Sequence, residues 1–230
     1  MIVLQRGFKS KLADGRIDPA KPFSVEVGVQ GNAMYEFSCF CLNAQEKNVD
    51  DAYYIFYNQM ESPNGSVTMD GNANPASYSV DLGSLPSWVQ TLHFTANIDG
   101  NGNMGQIRSC TARIRQNNKV AFELKLSGSD FSKQKALIVL QIYKKGEWRV
   151  GAIAAGFDGG LAQLCKNYGI DLSDDSEQER RQSPELTVTQ AESPPVQRSA
   201  SRAEAATRTE KPVETEKDDD DFERSDNDWV

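Results

Sequence analysis

The feature that most restricts this chain is a two-residue hydrophobic period repeated along its first 170 residues. In FSVEVGV, Phe23, Val25, Val27 and Val29 take alternate positions, and in VAFELKL so do Val120, Phe122, Leu124 and Leu126. Alternation of this kind puts the apolar side chains on one face of a strand and the polar ones on the other. YYIFY (Tyr53 to Tyr57), TLHFTANI (Thr91 to Ile98), ARIR (Ala112 to Arg115) and ALIVLQIY (Ala136 to Tyr143) add β-branched and aromatic runs. Between them stand the turn signals SPNGS, DGNANP, DGNGN, RQNNK and KKGE. Many short strands, glycine-rich turns and little helical period predict an all-β fold, a two-sheet β-sandwich.

One short C-terminal helix is predicted in FDGGLAQLCKNYG. Asp158 is placed to cap its start, and Leu161, Leu164, Cys165 and Tyr168 form one apolar stripe. Gly169 stops it in the left-handed position. Such a helix is expected over the mouth or edge of the sandwich.

Composition changes at Asp171. Residues 171–230 carry 18 Asp and Glu against 8 Lys and Arg, whereas residues 1–170 carry 15 against 17. The first 170 residues therefore read as a near-neutral sandwich domain, and 171–230 as a disordered acidic tail with few bulky apolar residues. The tail ends in DDDDFERSDNDWV, where Phe222, Trp229 and Val230 sit within an acidic run, the pattern of a partner-binding peptide. A solubilising charged tail is the plainer reading of the same residues.

A near-neutral body offers no basic face for nucleic acid. MIVLQRGFKSKLADG has too short an apolar run for a signal peptide, and no run of about 18 apolar residues spans a membrane. A cytoplasmic location is expected, with the four cysteines as reduced thiols.

Catalytic chemistry is thin. The one histidine, His93, alternates away from Leu92 and Phe94 and reads as a solvent-side or hydrogen-bonded strand residue rather than a base. No nucleophile elbow, phosphate-cradling loop or HExxH is present, so an enzyme is not expected. Cys39 and Cys41 share one strand face. They could hold a soft metal, or pack as small apolar residues between the sheets.

IDGNGNMGQ begins like a calcium loop, with Asp99, Asn101 and Asn103 at alternate positions. Met104 then stands where the sharp-turn glycine belongs, and Cys110 where a bidentate Glu belongs. MDGNANP repeats the spelling with Asp70 alone. Asp-Gly and Asn-Gly also suit a tight hairpin between Ile98 and Ile107, and that reading is preferred.

YYIFYNQMESPNGSV, LHFTANIDGNGNMGQI and SGSDFSKQKALIVLQIYKKGEWRVGAIAAGFDGGLAQLCKNYG together resemble the TerD-type tellurium-resistance and stress-response proteins, most like their TerA branch. The resemblance covers residues 1–170 and misses the tail. It implies a calcium-binding-type β-sandwich without known enzymatic activity, associated with tolerance of tellurite, chemical stress and phage. It also implies assembly with other tellurium-resistance operon proteins, some at the membrane. Calcium-binding members carry an Asp-x-Asp that reads Met34 and Glu36 here, and a Gly-Asp-Asn that reads Gly71, Asn72 and Ala73. Their acidic Gly-Asp-Asp-Glu run is replaced by NPASYSVDL. What remains for Ca2+ is Glu36, Asp51 and Asp70, with Asp99 able to lend one further oxygen.

Overall fold

The computed structural model describes residues 1–171 apart from Asn72. In chain order the strands are β1 (Ile2–Leu4), β2 (Lys9–Lys11), β3 (Phe23–Gln30), β4 (Met34–Leu42), β5 (Tyr54–Ile55), β6 (Val67–Met69) and β7 (Ala76–Val80). They continue with β8 (Thr91–Asp99), β9 (Ser109–Gln116), β10 (Lys119–Leu126), β11 (Ala136–Lys145), β12 (Glu147–Gly151) and β13 (Ala155–Phe157), before the helix α1 (Gly160–Tyr168).

The strands form the two sheets that the alternation predicts. Sheet one has the order β1-β10-β9-β3-β7-β6, and sheet two the order β2-β12-β11-β8-β4-β5, with β13 also paired to β11. Strand β1 runs parallel to β10, Ile2 opposite Phe122, while β2 runs antiparallel to β12, Lys9 opposite Gly151. The apolar positions of β3 and β10 meet those of β4, β8 and β11 in one core. Tyr78 and Phe94 cross it edge to face, with ring centres 5.3 Å apart. Each large apolar side chain so buried contributes about 1.5–3 kcal/mol. In β11 an irregularity between Ile138 and Leu140 puts both Val139 and Leu140 into this core.

Asn117 and Asn118, at φ 52° and 60°, make the tight β9–β10 turn that RQNNK signals. The IDGNGNMGQ stretch differs from its expected hairpin. Strand β8 pairs with β4 and β11 in sheet two, whereas β9 pairs with β3 and β10 in sheet one. The segment is a crossing between sheets. Gly100 and Gly102 supply its positive φ angles, 80° and 110°, and a 3-10 turn at Met104–Gln106 drops Met104 fully into the core. Met104 N–H donates to Gln134 O at 2.7 Å and Gly105 N–H to Ser132 O at 2.9 Å, which ties the crossing to the loop before β11.

The helix lies elsewhere than expected. It covers the outer face of sheet two, not the mouth or edge, because that face is itself apolar: Phe40, Leu42, Tyr54, Ala136 and Ile138 pack against Leu164, Cys165 and Tyr168. Its N-cap is Gly159, without a side-chain bond. Asp158 instead pairs with Lys133 at 2.9 Å, and the Gly159 N–H donates to Gln163 Oε1 at 3.0 Å. Gly169 ends α1 at φ 83°, as its sequence position requires.

Candidate functional site

The four candidate calcium carboxylates occupy three separate places. Glu36 and Asp99 lie on neighbouring strands, with Met34 opposite Asp99 and Glu36 opposite Asn97, so both belong to the outer face of sheet two. Asp99 is exposed, and Glu36 is half-buried and accepts from Asn97 Nδ2 at 2.9 Å. Asp51 is exposed in the turn before β5. Since Tyr54 pairs with Phe40, that turn lies where β4 finishes, the far end from Asp99. The adjacent Asp50 does the capping there, accepting from Ala52 N–H at 3.0 Å. Asp70 is exposed at the β6–β7 turn of the other sheet. Among the described residues no three His, Cys, Asp or Glu side chains gather where they could hold one metal ion. A hard cation needs six to eight oxygens, and Glu36 and Asp99 are the pair from which such a set would have to grow.

His93 is placed differently from its expected solvent side. It is 2% exposed, because α1 covers this part of the sheet. Its Nε2–H donates to Gln141 Oε1 at 3.2 Å, which leaves Nδ1 to accept the Tyr168 phenol proton at 2.7 Å. Burial lowers its pKa below the ordinary value, so the ring stays neutral and fully committed to structure. The hydrogen-bonded half of the sequence reading describes it correctly.

All four cysteines are buried. Cys39 and Cys41 pack between the sheets, as the apolar reading of their spacing holds. Burial, and after it the contact with Cys41, pushes the Cys39 thiol well up; burial alone pushes Cys110 up to about 12. A thiolate is the form that binds metals or attacks electrophiles, and these surroundings suppress it.

The sequence reading passed over a ladder of rings on this same face. Phe56 stacks on Tyr54 at 4.6 Å, Tyr54 on Phe40 at 4.4 Å, and Phe40 meets Tyr168 at 4.8 Å, with His93 next at 5.6 Å. The available signal was the apolar run CFCL, Cys39 to Leu42, at the end of β4, which marks a strand buried on both faces. Asn97, beside Glu36, was also missed; nothing in TLHFTANI separates it from an ordinary outward polar residue. Phe222, Trp229 and Val230, the expected partner-binding residues, lie outside the described residues.

Comparison with known proteins gives this geometry a family. The TerD domain profile matches residues 1–168. The chain is 33% identical over 136 residues to the chemical-damaging agent resistance protein B of Clostridium acetobutylicum, covering 54% of this chain and 98% of that one. It is 30% identical over 124 residues to the tellurium resistance protein TerA of an Alcaligenes species, covering 53% of this chain and 36% of TerA. A crystal structure of a TerD homologue from Streptomyces coelicolor A3(2) superposes with a TM-score of 0.52 at 13% identity, over 63% of this chain and 95% of that one, a likeness of fold. With two β-sheets and one α-helix among the described residues, and a profile match running through that helix, this chain belongs to the TerD domain family.

Proposed function

We propose that this protein serves resistance to tellurite or other damaging agents as a non-enzymatic scaffold or adaptor, binding other tellurium-resistance operon proteins. The observation that carries this reading is the sealing of its reactive side chains: the one histidine and all four cysteines are buried, hydrogen-bonded or packed in apolar surroundings. Resistance by such a protein works through what its surface binds. The acidic tail, with Phe222, Trp229 and Val230 as anchors, would supply one contact, its charge steering the encounter and its rings the buried area. Among the described residues no helix is long and apolar enough to cross a membrane. The test is recovery of purified operon products by the full chain and by a chain ending at Asp171. Loss of recovery on truncation is expected; equal recovery would reduce the tail to a solubiliser.

A second reading, a calcium-responsive sensor, is favoured by one observation: Glu36 and Asp99 share a face on adjacent strands. Ca2+ bound only by the folded state must raise the melting temperature relative to a chelator. An unchanged melt at millimolar calcium would end that reading.

A further inference from the structure

A pocket of about 610 Å³ opens at one end of the sandwich, between the start of β1, the 3-10 turn Leu12–Gly15 and the β9–β10 turn. That volume falls within the range of small-molecule sites, roughly 300–1,000 Å³. Ile2, Ile17, Val120 and Ala121 give it apolar walls, of which Ile17 and Ala121 are buried. Gln116 fixes one side. Its buried amide accepts the Asp18 N–H at 2.8 Å and donates to the Asp18 and Lys21 carbonyls, so the segment after Ile17 is stapled to β9. Two cations line the space, Arg16 and Lys119. Arg113, Arg115 and Arg149 are each held by a carboxylate, from Glu123, Glu26 and Glu147. Neither the Arg16 nor the Lys119 side chain has a partner among the described residues. Arg16 also stands at φ 61°, a left-handed conformation that favours glycine, so the fold keeps an arginine where backbone geometry does not ask for one. The glycine beside it serves another purpose: a Cβ at Gly15 would stand 2.3 Å from the Phe122 ring.

We propose that this pocket binds a small monocarboxylate with an apolar body, its carboxylate on Arg16 and Lys119 and its aryl or branched alkyl group against Ile17, Val120 and Ala121. A planar guanidinium forks onto both oxygens of a carboxylate, and the Lys119 ammonium adds a point charge. Burial of the apolar body supplies affinity, and the paired charges set its orientation. The third charged group of the lining, Asp14, selects the charge of the ligand. Its Oδ2 accepts from the Ser10 hydroxyl at 2.7 Å and from the Lys11 N–H at 3.0 Å, and those bonds hold the carboxyl below its ordinary pKa. Asp14 therefore stays ionised, and with Arg16 and Lys119 it leaves one net positive charge. That sum matches a monoanion and disfavours a phosphate dianion. Such a ligand goes beyond the adaptor reading, and neither rests on the other.

The experiment follows the Ile17 methyl and Ala121 amide signals by NMR in the full chain. The probes are phenylacetate, 4-methylpentanoate, phenylacetamide, phenyl phosphate and a short peptide with an apolar free C-terminus. Saturable shifts are expected from both acids, with at least tenfold weaker binding of the neutral amide and of the phosphate. Arg16→Gln should weaken phenylacetate binding at least tenfold. Arg16→Gly should weaken it as much without lowering the melting temperature, because glycine suits the left-handed backbone, and this guards against a misfolded variant. No saturable shift from either acid would overturn the proposal, as would undiminished binding by the Arg16→Gly chain. Phenylacetamide binding as tightly as phenylacetate would overturn the recognition of an anion. Tighter binding of phenyl phosphate would overturn the monoanion, and tighter binding of the peptide would overturn the assignment to a small molecule.

Discussion

Tyr168 Oη lies 2.7 Å from His93 Nδ1, so the last turn of α1 is hydrogen-bonded to the middle of β8. Both groups are buried, and neither has water as an alternative partner. Tyr168→Phe keeps the ring against Phe40 but leaves the His93 nitrogen unsatisfied. A loss of about 1–3 kcal/mol is expected. Urea denaturation of the full chain checks it, since the midpoint should fall while the slope stays constant.

The same histidine gives stability a pH dependence. Burial holds its folded pKa below the ordinary value, an effect only partly offset by the Gln141 hydrogen bond and the Glu46 carboxylate. The unfolded chain therefore takes up a proton at a pH where the folded chain does not. Stability is fully present above about pH 6.5 and declines as pH falls below it toward the lowered folded pKa. Denaturation midpoints measured from pH 7.5 to 5 should drop in the wild type. His93→Gln should remove that drop; an equal drop in both would assign it to carboxylates.

Thiol reactivity should be governed by opening of the fold. All four cysteines are buried, and burial raises both Cys39 and Cys110. A disulfide reagent at pH 8 is expected to label the native chain slowly and all four thiols at once in denaturant. Rapid native labelling at Cys39 or Cys41 would reopen the soft-metal reading of that pair.

The crossing from β8 to β9 depends on backbone contact that no side chain can enter. A Cβ at Gly128 would stand 2.5 Å from both Gly105 O and Ile107 O. Gly128→Ala is expected to cost about 2–3 kcal/mol, read as a lowered denaturation midpoint. A substitution at Gly146 makes the control. A Cβ there meets nothing within 4 Å, so only its positive φ of 73° is strained.

The strands were legible where alternation is strict: Phe23, Val25, Val27 and Val29 all face the core. The period of two assigns faces, but it does not say whether an outer face is later covered. His93 was misplaced for that reason, and the covering helix with it. Turn chemistry is equally local. Asp-Gly and Asn-Gly supply positive φ to a hairpin and to an inter-sheet crossing alike, so Asp99 to Gln106 gave no hint of which sheet comes next. Asp158 went from expected cap to ion-pair partner because Lys133 is remote in sequence and close in space. The acidic set was legible as residues, while its dispersal over both sheets was a matter of topology.

The pairings of β1 and β2 also set an order of biosynthesis. Residues 2–4 find their register only at Phe122 to Leu124, and residues 9–11 only at Arg149 to Gly151. While the ribosome is still making the middle of the chain, both segments wait without partners. Loop closure over such distances is slow, and unpaired strands are exposed to association with other chains in the meantime. Translation speed between β3 and β10 thus sets how long both segments stay unpaired.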